Sequence, residues 1–208
     1  MKQRVLILTV LLAAFLAAGC SKENEPMPAQ LTGFVTGYSG TDGYLATLRN
    51  DFGNEYKVTN RINAFVSNTS FRYVVRANLD GNGNASIYQL IDPIAHKAIE
   101  DHTLNDTLRV KDPLKIVSAY IGGDHLNIVM QIKTRYEAYY HFLEYTHKIK
   151  NGNCYIKFYH NAFNDEPVYT RDAFLSIPLE SYNLHQNDTV AVKYPSSDGD
   201  RIIKLVYK

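Results

Sequence analysis

Between positions 31 and 91 apolar and polar residues alternate in five short runs, 31–38, 44–48, 55–59, 71–79 and 85–91, separated by Gly, Asn and Asp. Alternation of period two turns one side of each run to a core and the other to water, so five β-strands are predicted. The stretch Asp80-Gly81-Asn82-Gly83-Asn84 is built of residues that tolerate positive φ and marks the clearest hairpin among them. Five strands in roughly 60 residues suit a small, partly open barrel of the OB type. Pro93 and the polar stretch 97–107 then interrupt the pattern, and the domain boundary is placed there. Seven longer runs follow, 113–121, 125–133, 139–148, 154–159, 171–179, 188–194 and 201–207. Gly122-Gly123-Asp124, Asn151-Gly152 and Asp198-Gly199-Asp200 join some of them. Regular strands with turn dipeptides between them are the pattern of a β-sandwich. The fold class expected is therefore all-β, an OB-like barrel over 31–100 followed by an antiparallel β-sandwich over 101–208.

One run is ambiguous, because Tyr136, Tyr139, Tyr140 and Leu143 also fit the i, i+3, i+4, i+7 spacing of an amphipathic helix. The strand reading is preferred, since the Asn151-Gly152 turn needs a partner run upstream.

The amino terminus follows neither period. Basic Met1-Lys2-Gln3-Arg4 precedes an apolar stretch from Val5 to Ala18, then Gly19 and Cys20. The stretch is shorter than the roughly 20 residues a membrane span needs, and small residues ahead of a cysteine read as a lipoprotein signal peptide over 1–19. Cys20 is then the lipidated first residue of the mature protein and its partner is a membrane, with the outer membrane as the expected address. Residues 20–30, with Lys22, Glu23, Glu25, Pro26 and Pro28, read as a polar tether between the lipid and the folded body.

Composition adds to this picture. The chain has 22 basic and 21 acidic residues, and removing Lys2 and Arg4 with the leader leaves a net charge of about −1. A nucleic-acid partner, which demands a surplus of Lys and Arg, is not expected. Sixteen Tyr and nine Phe with no Trp favour pleated surfaces, where aromatic side chains pack well. Of the two cysteines, Cys20 is assigned to lipid, so Cys154 has no partner and its place in an alternating run reads as a buried structural thiol.

Candidate chemistry is sparse. Asp80, Asn82 and Asn84 have the spacing of a calcium loop, but Ala85 stands where a Gly is needed and Ile91 where the bidentate Glu should be, so a hairpin accounts for them. In His141-Phe142-Leu143-Glu144-Tyr145-Thr146-His147 a strand places Glu144 on the face opposite both histidines, roughly 20 Å apart from end to end, and no metal site is assigned. The loop His160-Asn161-Ala162-Phe163-Asn164-Asp165-Glu166 gathers an imidazole, amides and carboxylates after a strand end, where binding residues often lie. Turn chemistry explains Asn and Asp there and is the preferred reading. A binding role would fall to His160, Asn161, Asn164 and Asp165. No nucleophile elbow, phosphate loop or zinc-protease motif occurs, and neither a cofactor nor a catalytic residue is expected.

The carboxy-terminal half resembles the NigD-like lipoproteins of Gram-negative gut and oral bacteria. The resemblance is carried by Asp112-Pro113-Leu114-Lys115-Ile116 and by the run from Tyr120 through Gly122-Gly123-Asp124 to Ile128. It continues in the run from Phe158 through His160-Asn161-Ala162-Phe163 to Asp165, in Phe174-Leu175-Ser176-Ile177-Pro178-Leu179, and in the closing Lys204-Leu205-Val206-Tyr207-Lys208. It implies an envelope lipoprotein with an OB-like domain followed by a β-sandwich, and it transfers no catalytic or binding residue. The function expected is that of a non-enzymatic binding module for a protein or glycan, with a bacteriocin-associated role as the narrower form carried by the family name. The alternatives are a polysaccharide hydrolase with an unidentified carboxylate pair and a structural subunit of an outer-membrane assembly.

Overall fold

The computed structural model describes residues 28–64, 66–93, 106–135 and 141–208. The signal peptide, Cys20 and most of the expected tether lie outside them, as do Tyr136, Tyr139 and Tyr140. Strands β1 (Ala29–Ser39), β2 (Leu45–Asn50), β3 (Glu55–Val58), β4 (Ser70–Leu79) and β5 (Asn84–Ile91) close into a barrel in the order β1-β2-β3-β5-β4. β1 starts two residues before the predicted run, because Ala29 and Gln30 find partners in Leu79 and Asn78 at the far end of β4. Val35, Leu48, Tyr73, Val75, Ala85 and Ile87 fill the barrel interior. The β4–β5 hairpin is the predicted one: Asp80 Oδ1 accepts the amides of Asn82 and Asn84 at 2.8 and 3.1 Å, and Asn84 Nδ2 donates to Asp80 Oδ2 at 2.6 Å. The aspartate oxygens are thus occupied by the turn itself.

The second part stacks two sheets. Strands β6 (Lys115–Gly122), β7 (His125–Thr134) and β10 (Tyr169–Pro178) form one, ordered β10-β7-β6. Strands β8 (Phe142–Lys150), β9 (Asn153–Asn161), β11 (Thr189–Ser196) and β12 (Gly199–Val206) form the other, ordered β12-β11-β9-β8. All pairs are antiparallel except β9 with β11, which run parallel with Val190 opposite Cys154 and Val192 opposite Ile156. Leu126, Ile128, Met130, Leu175 and Ile177 of the first sheet face Ile156, Phe158, Val190 and Val192 of the second across the core. Cys154 is fully buried there, and burial pushes its thiol up to about 11. The ambiguous run resolves as strand β8, with Leu143 and Tyr145 in the core.

The barrel packs on the outer face of the three-stranded sheet. Phe34 meets Phe174 and Tyr120 edge to face at 6.2 and 6.3 Å. Beside this apolar contact lies a buried polar one. Arg72 of β4 forms an ion pair with Asp51 of the barrel and donates to Asn127 Oδ1 at 3.1 Å and Ser176 Oγ at 3.2 Å across the junction. Asn127 Nδ2 in turn donates to Asp51 Oδ2 at 2.9 Å. Tyr120 donates to the same carboxylate at 3.2 Å, and burial together with that negative charge pushes its phenol up to about 12.

Candidate functional site

The loop singled out in the sequence leaves β9 at the end of the sandwich. Asn161 Oδ1 accepts the Phe163 amide at 2.8 Å, and the Asp165 amide closes onto the Ala162 carbonyl at 2.9 Å. Closing the turn this way forces positive φ on two successive residues, 51° at Phe163 and 61° at Asn164. Asn tolerates that region; an aromatic residue adopts it only under strain on the order of 1–2 kcal/mol. Burial repays only part of it, since the residue is 54% exposed.

The structure places His160, Asn164 and Asp165 on one cleft of about 470 Å³, together with Asp112, Lys115 and Lys133. Asn161 lines a second groove with Phe163, Phe142 and Val110, and His160 borders both. Phe142, Val110 and Leu108 are exposed to 40, 44 and 73%, so the turn projects into an apolar rim.

Behind the cleft the polar groups are tied together. His160 Nδ1 donates to the Asp112 carbonyl at 3.1 Å, His160 Nε2 lies 2.9 Å from His141 Nδ1, and His141 Nε2 lies 3.1 Å from Asp165 Oδ2. The side chains of His141 and Asp165 are 5 and 1% exposed. Burial opposes ionisation of Asp165, yet hydrogen bonds from Thr134, His141 and the Arg135 amide outweigh it and hold the carboxyl below its usual range. Burial, opposed by the Asp112 carbonyl, and the neighbouring His141 charge keep His160 below the usual histidine value. The Asp112 carboxylate accepts the Ala162 amide at 2.8 Å. Two carboxylates therefore line one cleft, and each accepts a backbone amide of the protein itself, Asp112 from Ala162 and Asp165 from Arg135.

Two of these groups escaped the reading of the loop. In the sequence His141 stands with Glu144 and His147, and those three separate as a strand dictates. Glu144 binds Arg109 on the outer face at 2.7 Å, while His147 stacks on Tyr182 on the core side with ring centroids 4.3 Å apart. The Asn151-Gly152 turn held the missing signal, since counting outward from it pairs Leu143 with His160 and sets His141 two residues further along the same face. In the sequence Asp112 stands out only as part of the Asp112-Pro113-Leu114-Lys115-Ile116 run.

A five-stranded OB-like barrel followed by a β-sandwich defines the class of protein. The pattern of the NigD-like C-terminal beta sandwich domain matches residues 97–207, just over half the chain, and the protein belongs to the NigD-like family. Among solved structures, a NigD-like immunity protein from Bacteroides caccae is 28% identical, with a TM-score of 0.67 over 84% of this chain and 91% of that one. A protein named as toxin-related from Parabacteroides distasonis is 19% identical, with a TM-score of 0.65 over 86 and 94% of the two chains. A protein named as a lipoprotein from Bacteroides fragilis is 13% identical, with a TM-score of 0.61 over 87 and 99%. The last two share the fold. No curated protein matches the sequence.

Proposed function

We propose that this protein is a lipid-anchored envelope protein, acylated at Cys20 and tethered through 20–30, whose two domains, 31–100 and 101–208, form a non-enzymatic binding module for a protein partner. The turn at 161–166 is its contact surface. The observation that carries this reading is Phe163, an exposed aromatic ring on a left-handed backbone. Strain held at a half-exposed aromatic position beside an apolar rim marks a residue kept for something outside the chain. The apolar rim of Leu108, Val110 and Phe142 favours a protein surface over a sugar. The immunity role named for the Bacteroides caccae structure supports a narrower form, in which the partner belongs to a bacteriocin system.

Two experiments test this. Cys20→Ser should release the protein from the membrane fraction; unchanged sedimentation with vesicles removes the anchor. A photo-crosslinking phenylalanine at position 163 should yield a discrete adduct on live cells that the same probe at Phe52, 89% exposed on the barrel, does not. Equal labelling at both positions removes the contact surface, and a glycan-array signal abolished by Asn164→Ala moves the reading to a sugar. For the bacteriocin form, deleting the gene without changing bacteriocin sensitivity is the defeating result.

A further inference from the structure

The hydrogen atoms of the His141–His160 contact can be counted. A carbonyl only accepts, so His160 carries a hydrogen on Nδ1, which faces the Asp112 carbonyl at 3.1 Å. Asp165 accepts the Arg135 amide on both oxygens, at 3.1 and 3.2 Å, and is the anionic end of the chain. His141 therefore carries a hydrogen on Nε2, 3.1 Å away. That leaves His141 Nδ1 and His160 Nε2 facing each other at 2.9 Å. Two bare lone pairs repel at this distance between two nearly buried rings, so a third hydrogen stands between them. Three N–H groups on two imidazoles are one more than two neutral rings hold. A tetrahedral metal ion in the same place would hold the nitrogens roughly 3.3 Å apart; the observed spacing is that of N–H···N.

We propose that His141 and His160 share a single proton, and that this buried imidazolium, ion-paired to Asp165, is a latch that fixes the 161–166 turn and is released when the proton leaves. The latch joins three places in the fold: the residue before β8, the end of β9 and the turn that bears Phe163. It stands independently of the partner reading, because it concerns what holds the turn and not what the turn touches.

The surroundings set the sign. From the segment before β6 comes Asp112, occupied by the Ala162 amide. Arg135, at the end of β7, is paired with Glu166; Glu144 of β8 is paired with Arg109; Lys115 and Lys133 lie on the cleft rim. Asp165 is the carboxylate in direct contact with the pair, so one proton is neutralised and a second is not. Uptake of a second proton is opposed by the burial of both rings and by the charge already present. The latch is closed while one proton is bound, and it opens as pH rises through loss of that proton.

The test is made on the intact chain. Long-range nitrogen–proton spectra of the histidine rings, assigned by difference with His141→Gln and His160→Gln, should show three protonated nitrogens shared by the pair at about pH 7. Two neutral rings at that pH overturn the proposal, and so does a ring pair that shifts stoichiometrically with added zinc at unchanged pH. Amide exchange at 161–166, corrected for its intrinsic pH dependence, should speed up by about tenfold or more as the pair loses its proton, while exchange in β9 and β10 does not. In Asp165→Asn, a second variant that keeps the shape, the turn should exchange fast at every pH. A turn whose corrected exchange in the native chain is flat with pH, or follows global unfolding, defeats the latch.

Discussion

Arg72 in the barrel and Asn127 in the sandwich are joined Nη2 to Oδ1 at 3.1 Å, and both also bind Asp51. The side chains of Arg72 and Asp51 are 12 and 5% exposed. Breaking such a pair from one side leaves a buried charge without compensation and destabilises by about 3–5 kcal/mol. Arg72→Met should fall in that range in denaturant unfolding. Adding Asp51→Asn should recover part of the loss, because the orphaned charge is then gone. Strictly additive losses would show that the two residues do not act as a pair.

Gly122 lies against the same carboxylate. A Cβ built on it would stand 2.5 Å from Asp51 Oδ2, and no larger side chain fits without moving the barrel. Gly122→Ala should destabilise by about 1–3 kcal/mol in the native background and by clearly less with Asp51→Gly, which also removes the Asp51 Cβ at 2.7 Å. An equal effect in both backgrounds would place the strain within the β6–β7 hairpin.

Asp106 accepts from Lys157 Nζ at 2.6 Å and Tyr159 Oη at 2.7 Å, and these bonds bring its carboxyl down to about 2. A depressed folded-state value contributes stability above the unfolded-state pKa, near 3.8, and that contribution is lost as pH falls toward about 2. The side chain is 49% exposed, so solvent screening keeps the amount below about 1 kcal/mol. Asp106→Asn should be slightly less stable than the native chain at neutral pH, and the two should converge by about pH 2. A gap that widens in acid contradicts the assignment.

Cys154 should be inert in the folded protein. With its thiol pushed up to about 11 and no surface in water, alkylation at mildly basic pH should follow unfolding and not precede it. Cys154→Ser, which buries a hydroxyl in an apolar core, should lower stability by about 1–3 kcal/mol. Rapid labelling of the native chain would show that the core opens locally at β9.

Phe163→Asn should separate strain from contact. Asn adopts the left-handed conformation more easily, so stability should hold or rise by up to about 1 kcal/mol, while co-purification of the partner identified by the crosslink is lost. A stability loss in this variant would mean that the ring contributes to folding after all.

The strands were legible because each is decided locally. Every alternating run from 31 to 207 contains a strand among the described residues, and the turns at Asp80-Gly81 and Asn151-Gly152 open hairpins as their chemistry requires. Contacts between neighbouring strands were legible in principle, as the His141–His160 register shows. What alternation does not carry is which distant surfaces meet. An arginine between Phe71 and Tyr73 and an asparagine between Leu126 and Ile128 break two apolar runs. Only the packing of β4 against β7 reveals that they are partners, 55 residues apart. Asp112 is similar: its tie to the loop needs the chain to cross from before β6 to the end of β9.

The parallel alignment of β9 and β11 has a consequence for biogenesis. Successive hairpins can zip as they emerge from a ribosome or a secretion channel, but β9 must wait while the chain visits the other sheet as β10 and comes back. During that interval one flank of β9, beside Ile156 and Phe158, has no strand to cover it and can template unwanted pairing. Folding of this protein therefore includes a vulnerable window that ends only when about the last tenth of the polypeptide arrives, and chaperones would be expected to act on it then.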